Sequence, residues 1–168
     1  RSEGYAGVSG NGQSELIRCI TGLEKVDAGN VIINNKDITN NTVRDIREAG
    51  IAHVPEDRYM WGSAPDATLA ENALMGYEDS DEFSKKGILN TDKVINHAIN
   101  LISKFRVKAD SYSQKIKELS GGNAQKLIVA REMSKKTPLI IACEPTRGID
   151  IGAIEFIHDQ LVEKRNNG

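Results

Sequence analysis

The spacing of apolar residues along the chain changes several times, and each change marks an element. Leu16, Ile17 and Ile20 recur at helical spacing and predict a helix straight after a glycine-rich turn. Residues 30–33 predict a short strand, Asn34-Asn35 a tight turn, and residues 36–38 the return of an antiparallel hairpin. Thr42 is placed to cap a helix reaching Ala49, which Gly50 stops. Residues 51–54 predict a strand that Pro55 ends. From Tyr59 to Lys117 the character becomes helical and charged, an all-helical insertion. Residues 68–75 read as a helix, residues 79–86 as a polar connector, and Thr91 as the cap of a longer helix. In that helix Val94, Ile95, Ala98, Leu101, Ile102 and Phe105 form one apolar stripe.

Helix formers run from Ala124 to Met133, behind Ser120 as N-cap. The continuous apolar run 138–143 predicts a buried parallel strand. Residues 152–165 predict a last helix with Ile154, Ile157 and Leu161 on one face. The expected architecture is α/β: a mainly parallel sheet, a small antiparallel hairpin and a helical subdomain. Residues 1–57 and 138–168 would form the core and residues 58–137 the insertion.

Composition narrows the function more than the fold. At 168 residues, 39% hydrophobic and 27% charged, the chain is long enough for one domain with a real core. A formal net charge of −2 gives no electrostatic case for binding nucleic acid or an anionic membrane surface. No stretch approaches the ~20 apolar residues of a transmembrane helix, so any membrane role is expected to run through partner subunits. Cys19 and Cys143 are too few for a disulfide framework and fit a reducing compartment. His53, His97 and His158 stand apart without partners at metal-ligand spacing and read as surface or packed residues.

The chemistry lies in three segments. Gly7-Val8-Ser9-Gly10-Asn11-Gly12-Gln13-Ser14 matches G-x-x-x-x-G-K-[ST] except at the lysine. Glycines let successive backbone N–H groups curl around phosphates, and Ser14 offers a hydroxyl to Mg²⁺. Gly7, Ser9, Gly10, Asn11, Gly12, Gln13, Ser14 and Glu15 are therefore the expected nucleotide contacts. Gln13 can donate a hydrogen bond but brings no charge. Charge-assisted bonds are roughly twice as strong as neutral ones, so slow or absent turnover is expected at this loop.

Ser120-Gly121-Gly122 opens a helix whose free N–H groups and dipole form an anion-binding end. Alone, that segment fits an ordinary capped helix; its order after the P-loop and before Glu144-Pro145-Thr146-Arg147-Gly148-Ile149-Asp150 points to phosphate chemistry instead.

The segment Leu119-Ser120-Gly121-Gly122-Asn123-Ala124-Gln125 resembles the signature sequence of ABC ATPases, in the Asn form familiar from sugar and nucleoside importers. With the P-loop and the later glutamate, the resemblance covers nearly the whole chain. It implies a P-loop NTPase core of the ABC type, with ATP and Mg²⁺ as cofactors. It implies that Ser120, Gly121, Gly122, Gln125 and Asp150 face a nucleotide held by an opposite ATPase domain. It places Glu56 where the family carries the Q-loop glutamine, so that Ser14 and Glu56 are the expected metal contacts. It makes Glu144 the catalytic carboxylate that polarises water, and puts Cys143 where a Walker B aspartate normally stands, a poor substitute for a hard ion.

The form around Arg147 to His158 is most similar to the second ATPase domain of a bacterial nucleoside or simple-sugar importer, where the P-loop lysine is often lost. The resemblance further implies a partner ATPase domain, transmembrane permease subunits near Met60-Trp61-Gly62, and indirectly an extracytoplasmic binding protein. The expected location is the cytoplasmic face of the membrane. The first strand is expected to be cut, and the switch histidine to lie past Gly168. A non-transport ABC ATPase, such as a translation or DNA-repair factor, and a regulatory module that never hydrolyses remain open.

Overall fold

The computed structural model describes residue 3 and residues 10–135 and 137–167. The first helix, α1 (Gln13–Ile20), follows Gly12 and keeps Leu16 in solvent. The strands β1 (Ile32–Ile33) and β2 (Lys36–Asp37) pair antiparallel with Ile33 opposite Lys36. Asn34 and Asn35 both take positive φ, 48° and 62°, as a two-residue hairpin turn requires. Asparagine tolerates that region better than other side chains, which is why the turn was legible.

Helix α2 (Val43–Glu48) begins where the Thr42 hydroxyl accepts the Asp45 N–H. Strand β3 (Ile51–Val54) follows, with Ile51, Ala52 and Val54 buried. Helix α3 (Leu69–Leu74) carries a full capping box, in which Thr68 and Glu71 satisfy each other's backbone N–H groups.

The expected all-helical insertion is not all helical. Strand β4 (Ser84–Lys85), at the end of the segment read as a polar connector, and β5 (Ile88–Leu89), just beyond it, form a second antiparallel hairpin. Two-residue strands are too short to show alternation; buried Phe83, its ring tilted against His97 with centroids 4.8 Å apart, anchors them. Helix α4 (Thr91–Lys104) is capped by Asn90, not Thr91: the Asn90 side chain accepts the Lys93 N–H at 3.0 Å. Asn and Thr are both capping residues, and Asn90 has the extended backbone that the cap position needs.

Helix α5 (Gly121–Ser134) runs through the middle of the main core and packs on α3, α4, α6 and β3. That core joins Val54, Leu69, Leu74, Phe83, Leu101, Phe105, Leu127, Ile128 and Ile157. A smaller cluster of Ile38, Ile46 and Ile51 seals the α2 side.

Strand β6 (Leu139–Ala142) pairs parallel with β3 in the register Ile51 to Leu139 through Val54 to Ala142. The parallel pairing is as expected, but the burial is not, since Leu139 remains 41% exposed. Among the described residues β6 has β3 on one edge only, and helix α6 (Ile151–Asn166) packs on α5 instead of covering it. A continuous apolar run reports hydrophobicity; what covers the strand decides burial. The β3–β6 pair carries the loops after Val54 and Ala142 out side by side, where the candidate site lies.

Candidate functional site

Of the P-loop residues, Gly7 and Ser9 lie outside the described residues. Gly10 and Gly12 have φ of 91° and 89°, conformations open to glycine at no steric cost. Gly12 caps α1 without a side-chain hydrogen bond, so the first N–H groups of the helix keep their donor capacity. Gly10 and Asn11 are exposed and Gln13 is half-buried, while Glu15 pairs with Arg18 at 3.3 Å.

Ser14 and Glu56 meet, although 42 positions apart. The Ser14 Oγ donates to Glu56 Oε2 at 3.2 Å. The other oxygen of Glu56 accepts from Arg147 Nη1 at 2.5 Å, and Arg147 Nη1 stands 3.3 Å from Glu144 Oε2. One guanidinium therefore bridges the two carboxylates that end the β3 and β6 loops. Glu144 itself has φ of 42° and the Arg147 N–H returns to its carbonyl at 2.9 Å, closing a tight turn. The facing hydroxyl and carboxylate of Ser14 and Glu56 are oxygen donors of the kind Mg²⁺ takes.

Cys143 is different. Its Sγ lies 3.5 Å from His53 Nε2, and burial, followed by the charges of Glu56 and Glu144, pushes the thiol up to about 11. A protonated thiol at neutral pH is not a magnesium ligand. His53 is held down at about 4, chiefly by burial, and so is neutral beside it.

A second group of residues gathers at the start of α5. Ser120 is exposed and caps the helix by accepting the Asn123 N–H. Gly121 and Gly122 are needed for contacts inside this chain: a Cβ at Gly121 would lie 2.6 Å from Arg58 Nη1, and one at Gly122 would lie 2.6 Å from Asp150 Oδ2. Arg58 Nη2 also donates to the Arg147 carbonyl, so it ties the loop after β3 to both the signature and the turn after β6. Asp150 caps α6 through the Ala153 N–H at 2.9 Å. Gln125 is only 2% exposed and donates to the Pro145 carbonyl at 2.9 Å, which turns it inward, away from an opposing surface. Among the described residues no hydrogen bond or ion pair joins Ser120 to Ser14, Glu56 or Glu144.

Sequence reasoning missed the roles of Arg58, Arg147 and Asn123. It also missed Glu132, whose one signal was a charge inside the apolar face of α5. Glu132 and Arg131 are fully desolvated there and tie α5 to α2 through Arg47.

The family model described as ABC transporter matches residues 4–147. The chain belongs to the ABC transporter family. Among its curated relatives, the nucleoside import ATP-binding protein NupA of Lactococcus lactis subsp. cremoris is 45% identical over 98% of this chain and 33% of its own length. The guanosine import ATP-binding protein NupO of Bacillus subtilis is 44% identical over 98% of the chain and 32% of its own length. This ABC chain thus spans about a third of the curated relatives it matches. In fold it is an ATP-binding cassette. The dimeric post-hydrolysis state of the cassette MJ0796 bound to ADP and Pi superposes with a TM-score of 0.77 at 25% identity, over 96% of this chain and 68% of that one. A nucleotide-free cassette gives 0.75 at 26% identity, over 96% and 64%.

Proposed function

We propose that this domain is the second ATP-binding half of an ABC importer for nucleosides or simple sugars, with residues 1–57 and 138–168 as core and 58–137 as insertion. Its own nucleotide site is weakened, and its signature serves the partner domain. The observation that carries this reading is the contrast between the two ends of the site. At the P-loop end Gln13 is neutral and Cys143 is a protonated thiol, while at the other end Ser120 stands exposed on a capped helix terminus.

ATP would be held by the P-loop N–H groups and Mg²⁺ by Ser14 and Glu56, the metal neutralising phosphate charge when bound. Glu144 would orient water. Its neighbour Arg147 would have to yield Glu56 for the ion to reach that carboxylate. Relatives named for nucleoside and guanosine import favour a nucleoside as cargo, with sugar importers in the same set.

As in an import ATP-binding protein, the domain would sit on the cytoplasmic face through permease subunits. No helix among the described residues is long and apolar enough to cross a membrane. Met60 and Trp61, 68% and 46% exposed, project beside a cleft of about 200 Å³ that Trp61, Met75 and Arg47 line; this is the proposed permease-docking surface. A binding protein outside the membrane would deliver the cargo.

The test is mutational, in the full-length protein. Ser120→Ala should abolish most ATPase activity, and Glu144→Gln should cost much less. Ser120 is a cleaner probe than Gly121, whose enlargement would also strike Arg58. The reverse ranking would make this an ordinary catalytic half.

A further inference from the structure

The signature helix has an internal device that fixes which way one hydroxyl points. Ser120 Oγ accepts from the Asn123 N–H at 3.4 Å and from Asn123 Nδ2 at 2.9 Å. The far end of the same amide, Oδ1, accepts from the Lys108 N–H at 2.8 Å. A backbone amide only donates, so the oxygen of Asn123 must face Lys108 and its NH₂ must face Ser120. That removes the usual ambiguity of an amide's orientation. A serine hydroxyl has two lone pairs and one proton. Asn123 occupies both lone pairs, and the proton is what remains to be directed outward.

Ser120 is exposed, and an open cleft of about 340 Å³ lies in front of it. The rim of that cleft mixes Lys108 with Asp110 and Glu118, so the preference for an anion comes from the helix end.

We propose that Asn123 is a positioning residue that holds Ser120 as an outward hydrogen-bond donor to a terminal phosphate of the nucleotide bound by the partner domain. This rests on the reading that the signature serves the partner. Asn123 itself touches no phosphate; it acts through Ser120.

Asn123→Asp is nearly isosteric and inverts the device. One carboxylate oxygen still accepts from Lys108, the other can only accept, and the Ser120 hydroxyl turns inward to donate to it. The new charge also repels phosphate, which a double-mutant cycle with Ser120→Ala separates. The readout is the apparent Kd for Mg-ATP in the full-length protein with its partner domain. Ser120→Ala is expected to raise Kd about tenfold, the worth of one charge-assisted hydrogen bond. Asn123→Asp should raise it at least as much, yet in the Ser120→Ala background it should add about threefold or less. The neutral variant Asn123→Ala should show the same dependence on Ser120 with a smaller loss.

Equal costs of Asn123→Asp in both backgrounds would overturn the proposal while leaving signature donation intact. An unchanged Kd in Ser120→Ala would overturn signature donation itself, and the proposal with it.

Discussion

Glu132, with no solvent exposure, accepts Arg47 Nη2 at both carboxylate oxygens, at 3.1 and 3.0 Å, across 85 positions of sequence. The same carboxylate takes Arg131 Nε at 2.8 Å and the His53 N–H at 3.3 Å, and Arg131 continues to the carbonyls of Asn72 and Gly62. This network clamps the signature helix to α2, β3 and α3, beneath the proposed permease surface.

Removing Glu132 leaves two guanidinium groups buried without their counter-charge. Glu132→Ala should therefore destabilise the domain by about 3–5 kcal/mol, the usual result of breaking one side of a buried ion pair. Urea denaturation measures it, and a loss within ~0.5 kcal/mol, the range of ordinary surface substitutions, would contradict the clamp. The pH dependence has a definite sign. Burial alone would raise the Glu132 carboxyl, but Arg131 and Arg47 outweigh it and hold it below the usual range. Its contribution is present above the unfolded carboxylate value and is lost as pH falls through the lower folded one.

His53 should impose a second dependence of the same sign. Burial lowers it from 6.5 to about 4, so the unfolded chain takes up a proton that the folded one refuses. Stability is complete above 6.5 and falls by up to about 1.4 kcal/mol per pH unit between 6.5 and 4. His53→Gln should flatten the stability curve in that window.

Gly122→Ala should fail for steric reasons. Its Cβ would meet Asp150 Oδ2 at 2.6 Å and Ala153 Cβ at 3.3 Å, forcing the cap of α6 to move. Overpacking of this kind costs about 1–3 kcal/mol. A thermal melt checks it, and Asp150→Ala should lose part of the same stability, because both changes remove the cap.

Cys143 should alkylate slowly. With its thiol at about 11, only about one molecule in a thousand carries the thiolate at pH 8. Iodoacetamide labelling in a Cys19→Ser background should accelerate close to tenfold per pH unit between 8 and 10. A rate that rises only about tenfold in all from pH 8 to 10 and levels off towards pH 10 would mean an unperturbed thiol.

What could be read from the chain was what local rules govern. Asn34-Asn35, Thr42 and Ser120 announce turns and caps through chemistry within three or four residues, and the structure forms them there. The β4–β5 hairpin was hidden because two-residue strands leave no period, and only Phe83 marked it. The clamp was hidden because Arg47, His53 and Tyr77 reach Glu132 from 85, 79 and 55 positions away. Gly121 and Gly122 were read as part of an anion-binding helix end; the structure shows that their lack of a side chain also admits Arg58 and Asp150. At the site, Ser14 and Glu56, both expected to touch the metal, lie within hydrogen-bond reach of each other, whereas Arg147 between Glu56 and Glu144 follows from a turn that the sequence does not spell out.

The most direct test counts hydrolysable nucleotides in the full-length protein, comparing wild type with Gln13→Lys plus Cys143→Asp. In a single turnover the wild type should hydrolyse one ATP per molecule, and the doubly substituted protein two. Two ATP per molecule in the wild type would contradict the account, because Gln13 and Cys143 would then support catalysis as they stand.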